Sequence, residues 1–377
     1  MLWELLIGIA GGTLSGISPG IHVNTLAALI SNLGLRNNLT LFTLGLTHTF
    51  MDVVPSAFLG VPDEGSALGV LPAHRLVLNG RTMEVVRIAL WASFLSVFLA
   101  VPLIPLYSKI APLYRPTYGR IAVLLLALLL MLTERGVKRF YALIVFLLAG
   151  ILGALTFHLT LSQPFYHLFT GLFGVPVIAT AFLAGGKLPE VRDDGDIEMD
   201  GVRFLVFSAI GTVLGGVASL IPTFTASQAA LIGSFFSRDE RSFLTVVFSV
   251  NTANFLFSTA NFLMTGRRRN GIVVLMEPQS GSAIAFYILV ALFVSMVVLL
   301  YGEPLAGLML SLSEKVNYRA LNASVLTFLV AISWAFDGLI GLLVLVGASM
   351  IGFLAQELGV KRTNCMGVIM IPILIEE

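Results

Sequence analysis

Apolar runs long enough to enter a bilayer follow one another along the chain, separated by short polar turns. They cover roughly residues 3–33, 39–60, 84–106, 119–133, 138–157 and 164–184, then 204–235, 242–265, 281–301, 320–335, 338–356 and 363–375. Between the two sets lies the most hydrophilic stretch, KLPEVRDDGDIEMDGVR at 187–203. Runs of this length read as membrane helices, since barrel strands would show about ten alternating residues. The expected fold class is an all-α polytopic membrane protein with two inverted structural repeats containing broken or re-entrant helices. The expected division is a first transmembrane repeat at 1–190, a hydrophilic linker at 191–202 and a second repeat at 203–377.

Each set opens on a segment interrupted by Gly, Pro and hydrogen-bonding side chains: GGTLSGISPGIHVNT at 11–25 and GGVASLIPTFTASQ at 215–228. Placing Pro19 on Pro222 sets Gly12 on Gly215, His22 on Thr225 and Asn24 on Ser227, an offset of 203. The offset continues without a gap, pairing His48 and Thr49 with Asn251 and Thr252, and Pro55 with Ser258. Inside lipid, such a Pro frees carbonyls from the helical ladder and lets two half-helices point into a protein-lined cavity. Half-helix N-termini carry unpaired N–H groups with partial positive charge, so they can hold a carboxylate or phosphate without a buried Lys or Arg. The candidate substrate-binding residues are therefore Ser18, Pro19, Gly20, His22, Asn24 and Thr25 in the first motif. In the second they are Pro222, Thr223, Thr225, Ser227 and Gln228, joined by Asn251 and Asn254. The competing reading is a kinked helix whose small residues serve close packing.

The second helix carries His48, Asp52 and Ser56 at four-residue intervals, one face of a helix in an otherwise apolar run. An ionisable Asp at membrane depth is costly and by default a site of proton or cation coupling, so His48 and Asp52 are the candidate ion-coupling residues. A closed His48–Asp52 pair is the alternative. The equivalent helix presents Asn251, Asn254, Ser258 and Asn261 along one stripe, and buried amides need partners. The stretch 61–83 is expected to lie at the interface or dip inward. His158 and His167 border short loops and are expected there too, and Asp337 with Gly338 is expected to cap or break the fifth segment of the second half.

Composition narrows the class further. The chain of 377 residues is 57% hydrophobic and 11% charged, against about a quarter charged in soluble proteins. A net charge of +1 with no long basic stripe argues against nucleic acid as a partner. The lone Cys365 excludes an intramolecular disulfide and a cysteine-based metal site, and no cofactor motif is present. The start, MLWELLIGIAGG, has Glu4 and no Lys or Arg before its apolar run, and reads as part of the first mature segment rather than a secretory signal. Loop charges bear on topology through the positive-inside rule. If every segment crosses once, Lys and Arg divide 10 to 12 between the sides. Treating each broken first segment as a re-entrant hairpin places 15 of 22 on one side, Arg75, Arg81, Arg203 and Arg241 among them. Seven, including Lys109 and Arg267 to Arg269, lie on the other. The resulting odd number of crossings per half inverts the repeats.

With these residues in place, the chain resembles the permease of the tripartite tricarboxylate transporters, the TctA-like family, and more closely its shorter archaeal-type members. The resemblance is carried by GGTLSGISPG, by residues 48–87 and by GGVASLIPT. Within 48–87, Pro62, Glu64, Pro72, Gly80, Arg81 and Glu84 are similar to the family's Pro-Gly-Glu, Pro and Gly-Arg loop. Asp63 and Thr223 stand where the family has Gly. The resemblance implies a secondary transporter working with a small membrane subunit and an external binding protein. The expected function is alternating-access transport of an anionic solute, a carboxylate by preference, coupled to Na+ or H+. One alternative cargo is a lipid-linked phosphate such as polyprenyl phosphate. An intramembrane enzyme using Asp52, His48 and Asp63 is a further alternative, and a homo-oligomer is compatible with all of these.

Overall fold

The computed structural model describes residues 1–18, 23–30, 37–59, 66–113, 116–184, 196–221, 225–268, 270–313 and 318–375. Pro19, Gly20, His22, Pro222, Thr223, Asp63 and Glu64 lie outside the described residues, as do the side chains of Asn24 and Thr25. Among the described residues there are helices and no strands, as expected where lipid cannot satisfy an open backbone.

The first half runs α1 (Leu2–Ile17), α2 (Val23–Ile30), α3 (Asn38–Met51), α4 (Val53–Leu59), α5 (Val70–Leu78), α6 (Thr82–Ile110), α7 (Pro116–Thr133), α8 (Lys138–His158), α9 (Pro164–Phe169) and α10 (Val175–Ala184). The second runs α11 (Gly201–Leu220), α12 (Ala226–Gly233), α13 (Glu240–Thr265), α14 (Gly271–Leu275), α15 (Ala283–Ser313), α16 (Tyr318–Glu357) and α17 (Gly367–Ile375). Polar side chains start several of these helices by accepting an orphan backbone N–H: Asn37 for α3, Asp200 for α11, Thr225 for α12, Asp239 for α13 and Asn270 for α14. Among the described residues, six helices are long and apolar enough to cross a membrane. The protein is a multi-pass membrane protein.

The 203-residue offset recurs at the level of elements. Helices α1 and α2 correspond to α11 and α12, α3 with α4 to α13, α6 to α15, and α7 with α8 to the two arms of α16. That last helix turns back on itself at Asp337 and Gly338, where φ of Gly338 is +55°. A Cβ placed on Gly341 would lie 2.9 Å from the Ser333 carbonyl oxygen, whereas eight residues of straight helix span about 12 Å. The arms 318–336 and 338–357 therefore form a hairpin, matching the α7–α8 turn at Gly136 (φ +59°).

Corresponding helices pack antiparallel. Along α3 and α13, Phe42 meets Phe255 with ring centroids 5.6 Å apart, Thr49 accepts from Thr252 at 3.1 Å, and Asp52 meets Asn251. As numbering rises on one helix it falls on the other. Along α6 and α15, Arg87 bonds to Glu303 at one end, and Ile104 faces the same cavity as Ile284 at the other. The fifth and sixth segments cross over between halves. Helix α8 packs on α17, while α16 packs on α9 and α10.

Carboxylates at the two hairpin turns make the same exchange. Glu134 accepts from the Lys361 N–H at 2.8 Å and from Asn364 at 3.2 Å. Its counterpart Asp337, 203 positions on, accepts from the N–H groups of Ser162 at 2.6 Å and Gln163 at 3.1 Å. Asp337 also bonds to His167 Nε2 at 2.8 Å. His167 is thus wholly buried, with Ser333 on its other ring nitrogen, and not at the interface as expected. Of the segment 61–83, expected at the interface or dipping inward, the described part from Ser66 packs inward. Its helix α5 buries Val70, Ala73, His74, Leu76 and Val77.

Candidate functional site

The polar side chains of the second segment do not sit on one uninterrupted helix. Helix α3 ends at Met51, Asp52 forms its C-cap, and α4 resumes at Val53. The Asp52 carboxylate therefore stands at a step in the backbone, 1% exposed, inside the main hydrophobic cluster built around Phe42, Phe50, Phe248 and Phe257. Its Oδ2 accepts from Asn251 Nδ2 at 2.7 Å, a contact from the first half to the second. One turn earlier, His48 Nδ1 lies 3.0 Å from Ser15 Oγ on α1. One turn later, Ser56 donates to the Asp52 carbonyl at 2.8 Å and lies 3.4 Å from Ser66. Beside this row, Thr47 Oγ1 is buried with no hydrogen-bond partner among the described residues. Burying such a group costs free energy unless a ligand, ion or water satisfies it.

Close packing sets α1 and α11 on the helices that carry these groups. Gly215 lies so near α13 that a Cβ there would be 2.7 Å from Ala253 Cβ and 2.7 Å from the Val250 oxygen. On α1, the matching Gly12 lies against Thr47 and His48. That approach brings Ser15 within reach of His48.

The second broken segment is described from Thr225 onward. Thr225 and Gln228 form a reciprocal capping box, the Thr hydroxyl accepting the Gln228 N–H at 3.2 Å and Gln228 Oε1 accepting the Thr225 N–H at 3.0 Å. Both Ser227 and Gln228 are fully buried. With its oxygen used by the cap, Gln228 holds Nε2 buried at the start of α12 without a partner among the described residues. A buried donor beside the positive end of a helix suits an anionic acceptor. Helix α12 packs on residues 67–69, directly after Ser66, which lies 3.4 Å from Ser56.

Other predicted residues are placed differently. Ser18 ends α1, its N–H on the Leu14 oxygen. Asn254 is half-buried on α13, facing α11 at Gly215. Asn261 holds the end of α11 instead of lining the cluster, donating to the Ser219 carbonyl at 3.0 Å. Ser15, Thr252 and Ser66 join the polar row without having been singled out in the sequence. Their signal was position: Ser15 lies one turn before Pro19, and Thr252 matches Thr49 at the 203 offset.

One end of the assembly is closed by charge. Glu84, fully buried, takes a bidentate bond from Arg241 at 2.6 and 2.9 Å and accepts the Glu198 N–H at 2.8 Å. Arg241 also reaches Glu198, which pairs with Arg81. This network clamps the linker onto the starts of α6 and α13. Burial pushes the nearby Asp239 carboxyl up. The N–H and hydroxyl of Ser242, with Arg203 and Arg241, outweigh that and hold it below the ordinary value.

A profile of the Tripartite tricarboxylate transporter TctA family matches residues 2–367. The chain belongs to the TctA family. It is similar to an uncharacterised protein of Methanocaldococcus jannaschii, 29% identical over 98% of this chain and 97% of that one. No solved structure matches it. Membership makes it a transporter permease, of the kind that works within tripartite transporters.

Proposed function

We propose that this TctA-family permease carries a small carboxylate anion by alternating access between two inverted repeats, coupled to Na+ or H+ through Asp52. The bond from Asn251 to Asp52 carries the reading. A buried carboxylate held across the two halves changes its charge when it takes a proton or a cation, and with that its hold on the other half. The anion would lie between the interrupted segments, taking the buried Gln228 Nε2 at the start of α12. The antiparallel packing of α3 on α13 and of α6 on α15 supports inverted repeats, in which one unit rocks against the other around the site. A small membrane subunit and an external binding protein are its proposed partners.

Passage of a lipid-linked phosphate would need a lateral cavity furnished with anion donors. A cavity does open between α6 and α15, but its two hydroxyls are already committed. Thr259 donates to the Phe255 carbonyl and Tyr287 to Gln279. The interior of the cavity suits an apolar chain and has no uncommitted hydroxyl for a phosphate drawn inside it. The test is uptake of labelled di- and tricarboxylates into proteoliposomes under imposed Na+ and H+ gradients. Accumulation of a carboxylate supports the reading, and no accumulation under any gradient sinks it.

A further inference from the structure

An open groove between α6 and α15, with about 350 Å³ of empty space counting what lies outside its mouth, is lined by Phe42, Ala100, Ala260, Leu263, Tyr287 and Ala291 among others. It opens past Val101, Ile284 and Ile288, which are part-exposed. The flanking outward side chains, Phe98, Leu106, Leu289 and Phe293, are more than half exposed and face lipid. The gap therefore opens on the hydrocarbon core.

The corresponding place at the other end of the same helix pair is shut. Moving 203 positions turns Ala100 into Glu303 and Ile104 into Gly307. There Arg87 bonds to Glu303 at 2.7 Å, and Leu90 fills the space over Gly302. The open copy has Ala100 where the closed copy has Glu303 in an ion pair, so the hole is not repeated at that matching place. Apolar side chains that line a gap without filling it forfeit contacts with one another. In a bilayer, the group at hand to fill it is an acyl chain.

Charge identifies the lipid. Leu263 lines the cavity one turn before Arg267, whose Nη1 reaches the Ala111 carbonyl, two turns beyond the lining residue Ile104. Next to it, Arg268 bonds to the Val274 carbonyl and stacks on Phe262. Each guanidinium has five N–H donors, so both keep donors for a headgroup at the mouth. We infer that an anionic glycerophospholipid binds here, one acyl chain between α6 and α15 and its phosphate on Arg267 and Arg268. The lipid wedges apart helices from the two halves and is independent of the transported solute.

The experiment incorporates the full chain into nanodiscs of equal phosphatidylglycerol and phosphatidylcholine, extracts it in mild detergent and counts retained lipids by native mass spectrometry. Wild type is expected to keep one phosphatidylglycerol in preference to phosphatidylcholine. Ala260→Phe fills the cavity and is expected to lose the retained lipid while keeping its elution volume and uptake. The pair Arg267→Gln with Arg268→Gln lies outside the core, and reduces the preference by about fivefold for each arginine while a chain is still retained. Wild type that retains no lipid overturns the inference, as does Ala260→Phe that retains as much as wild type. An unchanged preference in the double arginine variant overturns the headgroup assignment, even if Ala260→Phe fails to fold. Protection of the cavity only by a second membrane protein would contradict a lipid occupant.

Discussion

Gly215→Ala tests the contact on which both polar rows depend. The new Cβ would meet Ala253 Cβ and the Val250 oxygen at 2.7 Å and the Asn254 nitrogen at 2.8 Å. Ordinary contact is about 3.5–4.0 Å, so α11 must move by roughly 1 Å. Two of the three obstacles are backbone atoms, which cannot turn aside. Overpacking of this kind costs about 1–3 kcal/mol, and the upper end applies here. Alanine recovers about 1 kcal/mol through its helix propensity. The net expectation is a loss of about 2 kcal/mol, with α11 pushed off α13 and the Tyr107–Ser219 and Asn261–Ser219 bonds weakened. Gly201→Ala is the matched control, because nothing lies within 4 Å of a Cβ at the start of α11. It is expected within about 0.5 kcal/mol of wild type. Thermal unfolding in detergent, followed by intrinsic fluorescence, reads both. If Gly215→Ala proves as stable as Gly201→Ala, the close approach of α11 to α13 is wrong, and with it the placement of Asn251.

Further outcomes follow from the ends of the assembly. Glu84→Gln leaves Arg241 with only Glu198 and is expected to cost about 3 kcal/mol, the low end for a broken buried pair because Arg241 is 21% exposed. Adding Arg241→Met should restore much of that loss in the same unfolding assay. Gly338→Ala forces a side chain into a φ of +55° and is expected to cost at least about 1 kcal/mol, with faster proteolysis of the α16 hairpin. The Asp239 carboxyl is depressed in the fold, so its contribution is present above the unfolded value of about 4 and is lost as pH falls through the lower folded value. Asp239→Asn should therefore flatten the acid limb of a stability–pH curve below about pH 4.

The 203-residue offset was legible because Pro, Gly and polar residues are constrained in lipid, so Pro19, Gly12 and Asn251 stand at the same spacing from their counterparts where apolar positions differ. The same reasoning found Asp52, an expensive residue at membrane depth. It did not find the step at Asp52 between α3 and α4, since a C-cap in mid-span leaves no composition mark. The two hairpin carboxylates were equally hidden. Glu134 looks like any acid in a turn, and its partners Lys361 and Asn364 lie more than 220 residues away. His167 looked interfacial because it borders a short loop. Only the fold-back of α16 shows that Ser333 and Asp337 enclose it.

Ion coupling through Asp52 is the central claim, and gradient-driven uptake by Asp52→Asn tests it most directly. Asn keeps the shape and a hydrogen bond to Asn251 but cannot change charge. In proteoliposomes, wild type is expected to concentrate a labelled carboxylate when Na+ or H+ is supplied on the outside. The variant is expected to exchange the solute across the membrane without concentrating it. Accumulation by Asp52→Asn to the wild-type level under the same gradient would contradict the account.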